Sequence, residues 1–407
     1  MHHVDFKKLI ASGVAKERTL FPSHLPRELK ELYLTMTMLN FALAAGMLFE
    51  PIYLYQVGFS ISQIMLYFFA VYVLYFFAMP LGAKFVKWRG FEHGIILGSV
   101  FLVVYLILLL QIPRSPIFVG LAILALVLQK MFFWPGYHAD FAFFSKAGER
   151  GREVGIVAIL DSLSYVIGPI AGGLLIATFG FTGLFTVMCV IILLSTIPLL
   201  TTKEVFQPSS LGYREPYIAL AARENRHHLF GCMGFGEELV ALTIWPIFIF
   251  LTFENFVTTG AAITISTLIT SLTILYVGKL TDISDRKRVL RLTTLFLSIS
   301  WLLRVFVRGA GGVVFADFFS RTTKYAFALP FFSGLYAHAS KTSVVRTVIF
   351  FEMSLTVGKI IVAAFLAVWF HYVPDAWSGA FVLAALFSLL YFFLSHAAKP
   401  APIGSTP

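Results

Sequence analysis

An all-α membrane protein of twelve transmembrane helices, arranged as two pseudo-symmetric six-helix bundles, is the fold predicted by three features of the sequence. Of 407 residues, 58% are hydrophobic and only 13% are charged, about half the charge of a typical soluble domain. Twelve apolar stretches each approach the roughly 20 residues needed to cross about 30 Å of hydrocarbon. A polar stretch divides them six and six.

The first six spans are predicted at 32–55, 61–83, 91–112, 116–142, 153–178 and 182–201. The second six follow at 227–251, 260–278, 289–307, 313–338, 346–371 and 377–396. The apolar runs are continuous and lack the ten-residue alternation of barrel strands, so helices are expected. The domain organisation is then a cytoplasmic N-terminal segment 1–31, a bundle 32–201, a cytoplasmic linker 202–226, a bundle 227–396 and a tail 397–407. The linker is expected to carry a short interfacial helix around 214–225. Residues 1–31 are polar and basic without an apolar segment, so no cleavable signal peptide is expected and the first span acts as the membrane signal.

The net charge of +10 would suit nucleic acid only if a basic soluble face existed, and none does. The cations instead sort by side of the membrane. With the N-terminus inside, 24 of the 31 Lys and Arg fall in cytoplasmic segments, and Arg114, Arg304 and Arg308 fall at outer ends. That bias predicts a multi-pass protein of the inner (plasma) membrane with both termini cytoplasmic. Forty-four Phe and sixteen Tyr suit a lipid-facing surface with aromatic belts. Cys189 and Cys232 lie in apolar runs without metal-ligand spacing, so neither a metal nor a cofactor is expected.

An internal repeat supports the division into halves. Pro51 and Pro246 each lie nineteen residues after the start of the first and seventh spans. Pro135 and Pro330, in the fourth and tenth, are each followed ten residues later by Ser-Lys, Ser145-Lys146 and Ser340-Lys341. Parallel repeats of this kind place a solute site between the halves near the midplane.

The loop after the eighth span, Gly278-Lys279-Leu280-Thr281-Asp282-Ile283-Ser284-Asp285-Arg286-Lys287-Arg288-Val289-Leu290, resembles the loop motif of the major facilitator superfamily, G-x-L-x-D-x-x-G-R-[KR]-x-x-L. Asp285 replaces its second glycine. Gly278 permits close approach of helix ends, and Asp282 with Arg286 and Lys287 supplies the charges of a gating latch. The companion loop from Gly82 is degenerate, with Val86 where the motif has Asp. Gly168-Pro169-Ile170-Ala171-Gly172-Gly173 resembles the G-P-x-x-G-G element of exporter branches, although small residues at this spacing also serve tight helix packing. The resemblance implies a transporter working by alternating access as a monomer, with the first, fourth, seventh and tenth helices lining a central cavity.

Ionisable residues within spans are costly and mark candidate functional sites. Substrate contacts are expected from Lys130, Trp134, Tyr137, Asn40, Arg321, Lys324 and Lys359. The cations among them suit a solute with an anionic group, unless they are neutralised internally, Asp317 with Arg321 and Glu352 with Lys359. Proton coupling is expected from Glu237, Glu238, Asp161, Asp317 and Glu352, because a carboxyl group in low dielectric favours its protonated form. His138 is expected to be a helix-packing residue, and Trp134-Pro135 and Trp245-Pro246 to be kinks before gates. The predicted function is proton-coupled secondary transport of a small organic solute. Efflux of amphipathic drugs by proton antiport and flipping of lipids or lysolipids are the alternatives. No metal or nucleophile constellation of an enzyme, no phosphate loop of an ATP-driven pump and no extra soluble domain of a sensor is present in the sequence.

Overall fold

A lipid environment offers no partners for backbone N–H and C=O groups, so the chain satisfies them internally as helices. The computed structural model describes residues 27–145, 150–201, 212–283, 286–341 and 343–396. The rods are α1 (Arg27–Gln56), α2 (Ile61–Arg89), α3 (Phe91–Gln111) and α4 (Ile117–Phe144). The helical run Arg150–Ser195 is broken at Gly180 and forms α5 (150–179) and α6 (181–195). The second half comprises α7 (Arg223–Phe253), α8 (Phe256–Ile283), α9 (Arg286–Leu303), α10 (Gly309–Ala339), α11 (Val344–Tyr372) and α12 (Trp377–Ser395).

Ten helices among the described residues are long and apolar enough to cross a membrane. One of them is the α5–α6 run, counted once, and α10 lies outside the ten because it carries Asp317, Arg321 and Lys324. Twelve spans are compatible with this set.

Gly180 adopts φ +67°, a backbone conformation that favours glycine, and reverses the chain. The reversal is visible in the contacts of α1. Tyr33 hydrogen-bonds the Glu153 carbonyl near the start of α5, Tyr53 packs on Phe181 at the start of α6, and Thr201 returns to Glu31. Gly90, at φ +109°, makes the corresponding turn between α2 and α3. Ser60 and Gln63 form a reciprocal capping box at the start of α2.

The repeat survives in three dimensions. α4 and α10 each run through an internal proline, Pro135 and Pro330. α1 is interrupted just before Pro51, and α7 carries a tight 3-10 turn at Gly234–Gly236 and a wide π turn at Val240–Ile244 just before Pro246. A short linker helix, Glu215–Ala221, falls within the segment expected to hold one. It is held by Tyr213, whose hydroxyl donates to the Phe77 carbonyl at 3.1 Å, and by Glu215, 3.0 Å from Arg346.

The halves meet along two long seams, α2 against α11 and α5 against α8. At the end opposite the basic one the seam is tight. A Cβ on Gly173 would come within 2.5 Å of the Phe256 carbonyl oxygen, and one on Gly260 within 2.2 Å of that of Pro169. At the same end Ser62 donates to the Ala367 carbonyl at 2.6 Å across the α2–α11 seam. At the basic end, where Arg89, Arg226 and Arg346 lie, the halves touch through rings, Phe141 and Tyr336 at 4.8 Å.

Candidate functional site

A cavity of about 270 Å³ lies in the basic-end half of the molecule, walled by α1, α4, α5 and α10. Successive cavity-facing residues of α4 are Trp134, Tyr137, His138 and Phe141, a helical stripe with a spacing of three and four. α10 presents Tyr325, Leu329, Phe332 and Tyr336 from the other half. Asn40 and Asp161 supply polar groups from α1 and α5, and the Tyr325 hydroxyl donates to Asp161 Oδ2 at 2.8 Å across the interface.

Four of the expected site residues therefore line the cavity: Asn40, Trp134, Tyr137 and Asp161. The first, fourth and tenth helices take part as expected, but α7 contributes nothing to the described lining and α5 takes its place. The reason is that α7 turns its polar groups toward α9–α12. Glu237 accepts from Trp301 Nε1 at 3.1 Å and from Tyr391 at 3.2 Å, and pairs with Lys324 at 2.5 Å. Glu238 reaches Lys324 at 3.2 Å and Lys359 at 3.1 Å. Adjacent residues on a helix point about 100° apart, yet Lys324 sits between them and serves both.

The expected internal neutralisation is half right. Arg321 Nε does sit 2.6 Å from Asp317 Oδ2. Glu352, however, is not the partner of Lys359. It takes His138 Nε2 at 3.2 Å and the Tyr75 hydroxyl at 3.0 Å. The side chain of Glu352 emerges toward α2 and α4, while Lys359, two turns along, meets Glu238 of α7. His138 also hydrogen-bonds the Tyr336 hydroxyl at 2.8 Å through Nδ1. It is thus a polar bolt between the halves as well as a packing residue.

Two residues carry more than the sequence assigned them. Arg304, counted among outer-end cations, is 2% exposed and packed between Trp245 and Trp301, 4.3 and 3.8 Å from their ring centroids. Trp245 donates to Asp317 at 2.9 Å, so each tryptophan stacks on Arg304 and holds one carboxylate. The signal was present in the spacing of Trp301 and Arg304, one turn apart. Glu50 is buried and accepts from Tyr105, itself bonded to Tyr67 at 3.3 Å.

Lys130 lies one turn deeper than Trp134 on the same face of α4, with Nζ 5.4 Å from the centroid of Tyr72. Lys359 from the opposite half lies 5.6 Å from the same ring. Among the described residues no carboxylate is within ion-pair distance of Lys130. Gly168 and Gly172 pack against Ala44 and Ala45 of α1, and Gly173 against Phe256 of α8, with Pro169 facing Gly260. The backbone of Gly278 and Asp282 is helical, while the side chains of Asp282 and Arg286 lie outside the described residues, as do Lys146, Ser284 and Asp285. Lys287 opens α9 and is exposed.

The model of the Major Facilitator Superfamily matches residues 32–227, the whole N-terminal half and the linker. The paired-bundle fold extends the likeness over the rest of the chain. The E. coli fucose:proton symporter FucP superposes with TM-score 0.65 over 90% of this chain and 97% of its own, at 13% identity. The N-terminal part of this chain thus matches the major facilitator superfamily in sequence, and the whole chain shares the fold of that superfamily's solved structures. A POT family transporter in complex with 5-aminolevulinic acid matches with TM-score 0.69 at 12% identity, over 92% of this chain and 96% of that one. Another POT family transporter structure, in complex with a thioalcohol-conjugated peptide, matches with TM-score 0.69 at 11% identity, over 91% and 95%. No curated protein matches the sequence. At these identities the superpositions establish a shared fold, that of multi-pass helical membrane proteins.

Proposed function

We propose that the protein is a secondary active transporter that carries a small organic solute through the cavity in exchange or symport with protons. It works by alternating access, the two halves rocking about the cavity, in an inner (plasma) membrane with both termini on the cytoplasmic side. The observation that carries this is the make-up of the cavity wall. Both halves contribute to it, and the polar pairs beside it, Asp161–Tyr325 and His138–Glu352, join one half to the other. Rocking must break those pairs and remake others, so the charge state of their carboxyl groups biases the motion. The distribution of Lys and Arg supports the orientation, and a superposing fold that is itself a fucose:proton symporter supports the coupling.

Glu238 reaches water, its side chain 27% exposed, and can take up a proton once rocking withdraws Lys324 and Lys359 from it. Protein reconstituted in vesicles loaded with a pH-sensitive dye should move protons when its solute is added. Glu238→Gln should abolish that movement while solute exchange persists. Unchanged proton movement in Glu238→Gln would remove this residue from the coupling. The aromatic cavity wall also favours efflux of amphipathic compounds as a second reading, which altered drug sensitivity in cells overproducing the protein would support.

A further inference from the structure

The interior cations of this protein suggest an anionic solute, but the cavity itself has the opposite chemistry. Among its described lining residues the acidic side chain is Asp161, with the Asn40 amide nearby. Six of the fifteen lining residues are Phe, Tyr or Trp, with Trp134, Tyr137, Phe332 and Tyr336 among them. His138 also lines the cavity, with Nε2 committed to Glu352 and Nδ1 to Tyr336. The cations that would draw an anion lie off this lining. Arg321 is held by Asp317 at 2.6 Å, Lys324 by Glu237 at 2.5 Å and Lys359 by Glu238 at 3.1 Å. Lys130 is a turn deeper, over Tyr72.

We propose that the cavity binds a compact organic cation, an ammonium group seated at Asp161 with its ring or short chain among the aromatic faces. Aromatic faces carry the negative end of the ring quadrupole and attract ammonium groups. A charge-assisted hydrogen bond to a carboxylate fixes the position of the head group. An anion in the same space would face Asp161 as a like charge with little water to screen it. The volume of about 270 Å³ is at the small end of ligand pockets and suits one ring with a short chain. The inference rests on the transporter reading only in taking this cavity as the solute site.

A proton and an ammonium compete for one carboxylate. An ammonium ion binding at protonated Asp161 forms the ammonium–carboxylate pair and releases the carboxyl proton to water. Acidification therefore weakens amine binding. The titratable and charged groups facing Asp161 are Tyr137 and His138 on α4, Arg321, Tyr325 and Tyr336 on α10, and Tyr165 on its own helix. The described polar side chains from α1 and α8 on this side, Asn40 and Ser271, carry no charge. A charged His138 would also repel an amine, so substitution of Asp161 is what separates the two contributions.

The test uses purified full-length protein in detergent and three probes of one skeleton, phenethylamine, phenethyl alcohol and hydrocinnamate, with binding read by quenching of tryptophan fluorescence and by thermal shift. The amine should bind at least about tenfold more tightly than the alcohol, and more tightly still than the carboxylate, with affinity falling as the medium is acidified. Asp161→Asn should erase the preference for amine over alcohol and leave the alcohol unchanged. Tighter binding of hydrocinnamate, an intact amine preference in Asp161→Asn, or no binding of any probe overturns the proposal. If Asp161→Asn does not fold, the ranking and pH dependence of the native protein decide. Because the readout is binding, solute-driven proton movement in vesicles without amine binding would sink this inference and leave the transporter reading standing.

Discussion

The C-terminal half joins Glu237, Glu238, Asp317, Arg321, Lys324 and Lys359 in a bonded lattice, whereas Glu50, Lys130 and Asp161 of the N-terminal half each meet a tyrosine. Glu237, Glu238, Lys324 and Lys359 form one chain of ion pairs, and Asp317 with Arg321 and Arg304 forms another beside it. In the N-terminal half Glu50 rests on a tyrosine and Lys130 on the face of another. Asp161 rests on a tyrosine too, but one from the opposite half. A duplicated fold has thus been filled with two different electrostatic solutions. In one, charges stabilise each other, and removing one strands its neighbour. In the other, charges face tyrosines or the cavity, where a ligand or a proton can answer them. The comparison predicts that interior substitutions in the C-terminal half act first on stability, and those in the N-terminal half first on function.

The largest effect should come from Lys324→Met. It leaves Glu237, 3% exposed, without its cation, and stranding a buried charge costs about 3–5 kcal/mol. The partial exposure of Lys324, 23%, puts the expectation near about 3 kcal/mol. Denaturant unfolding in detergent measures it, and the double variant Glu237→Gln/Lys324→Met should recover part of the loss. Native stability in the single variant would dissolve the distinction between the halves.

Next in size is the seam opposite the basic end. Gly173→Leu or Gly260→Leu places a side chain where even a Cβ meets a carbonyl oxygen. Overpacking of this kind costs about 1–3 kcal/mol, here borne by the state in which the seam is closed. The population should shift toward a molecule open at that end. A Ser62→Cys probe would report the shift as faster maleimide labelling, since Ser62 is tied to Ala367 across the closed seam. Unchanged labelling would mean that the seam yields by local movement instead.

His138→Gln tests a polar bolt between the halves at the basic end. It removes the contact to Glu352 and leaves Tyr75 as the donor to that carboxylate. A hydrogen bond to a charged group is worth about 1.5–3 kcal/mol, and the low end is expected because Tyr75 remains. Labelling of a cysteine placed at Tyr336 should accelerate relative to the same probe with His138 intact.

How much of this could be seen in the sequence differs by the range of the interaction. Helices in lipid are set by local hydropathy, so the helical rods were legible, and α10, whose three charges depress its hydropathy, was legible through its repeat with α4. Asp317 and Arg321, four residues apart on one helix, were legible as a pair for the same local reason. Glu352 and Lys359, seven apart, looked equivalent but are not, because the face each presents is met by a different neighbouring helix. The pairs His138–Glu352 and Asp161–Tyr325 span 214 and 164 residues of sequence, and no periodicity within a helix reports them. Arg304 was misjudged because proximity to a span end normally means exposure, and two tryptophans reverse that here.

The smallest expected stability effect is the most informative one for the comparison. Lys130→Met keeps the length of the side chain and removes a cation whose described contact is a ring 5.4 Å away. A cation–π contact at that range is worth about 0.5–1 kcal/mol, and the gain of an apolar side chain offsets part of it. Unfolding should therefore shift by less than about 1 kcal/mol. Lys130 nevertheless shares Tyr72 with Lys359 of the other half, so its removal relieves a repulsion between like charges across the rocking interface. The state that brings the two cations together should become more populated, and transport should slow because the molecule dwells in it. Native transport rates in Lys130→Met would show that Tyr72 and the surrounding groups already screen the two charges. A stability loss as large as that of Lys324→Met would show instead that the N-terminal half has its own lattice, built through residues other than those described around Tyr72.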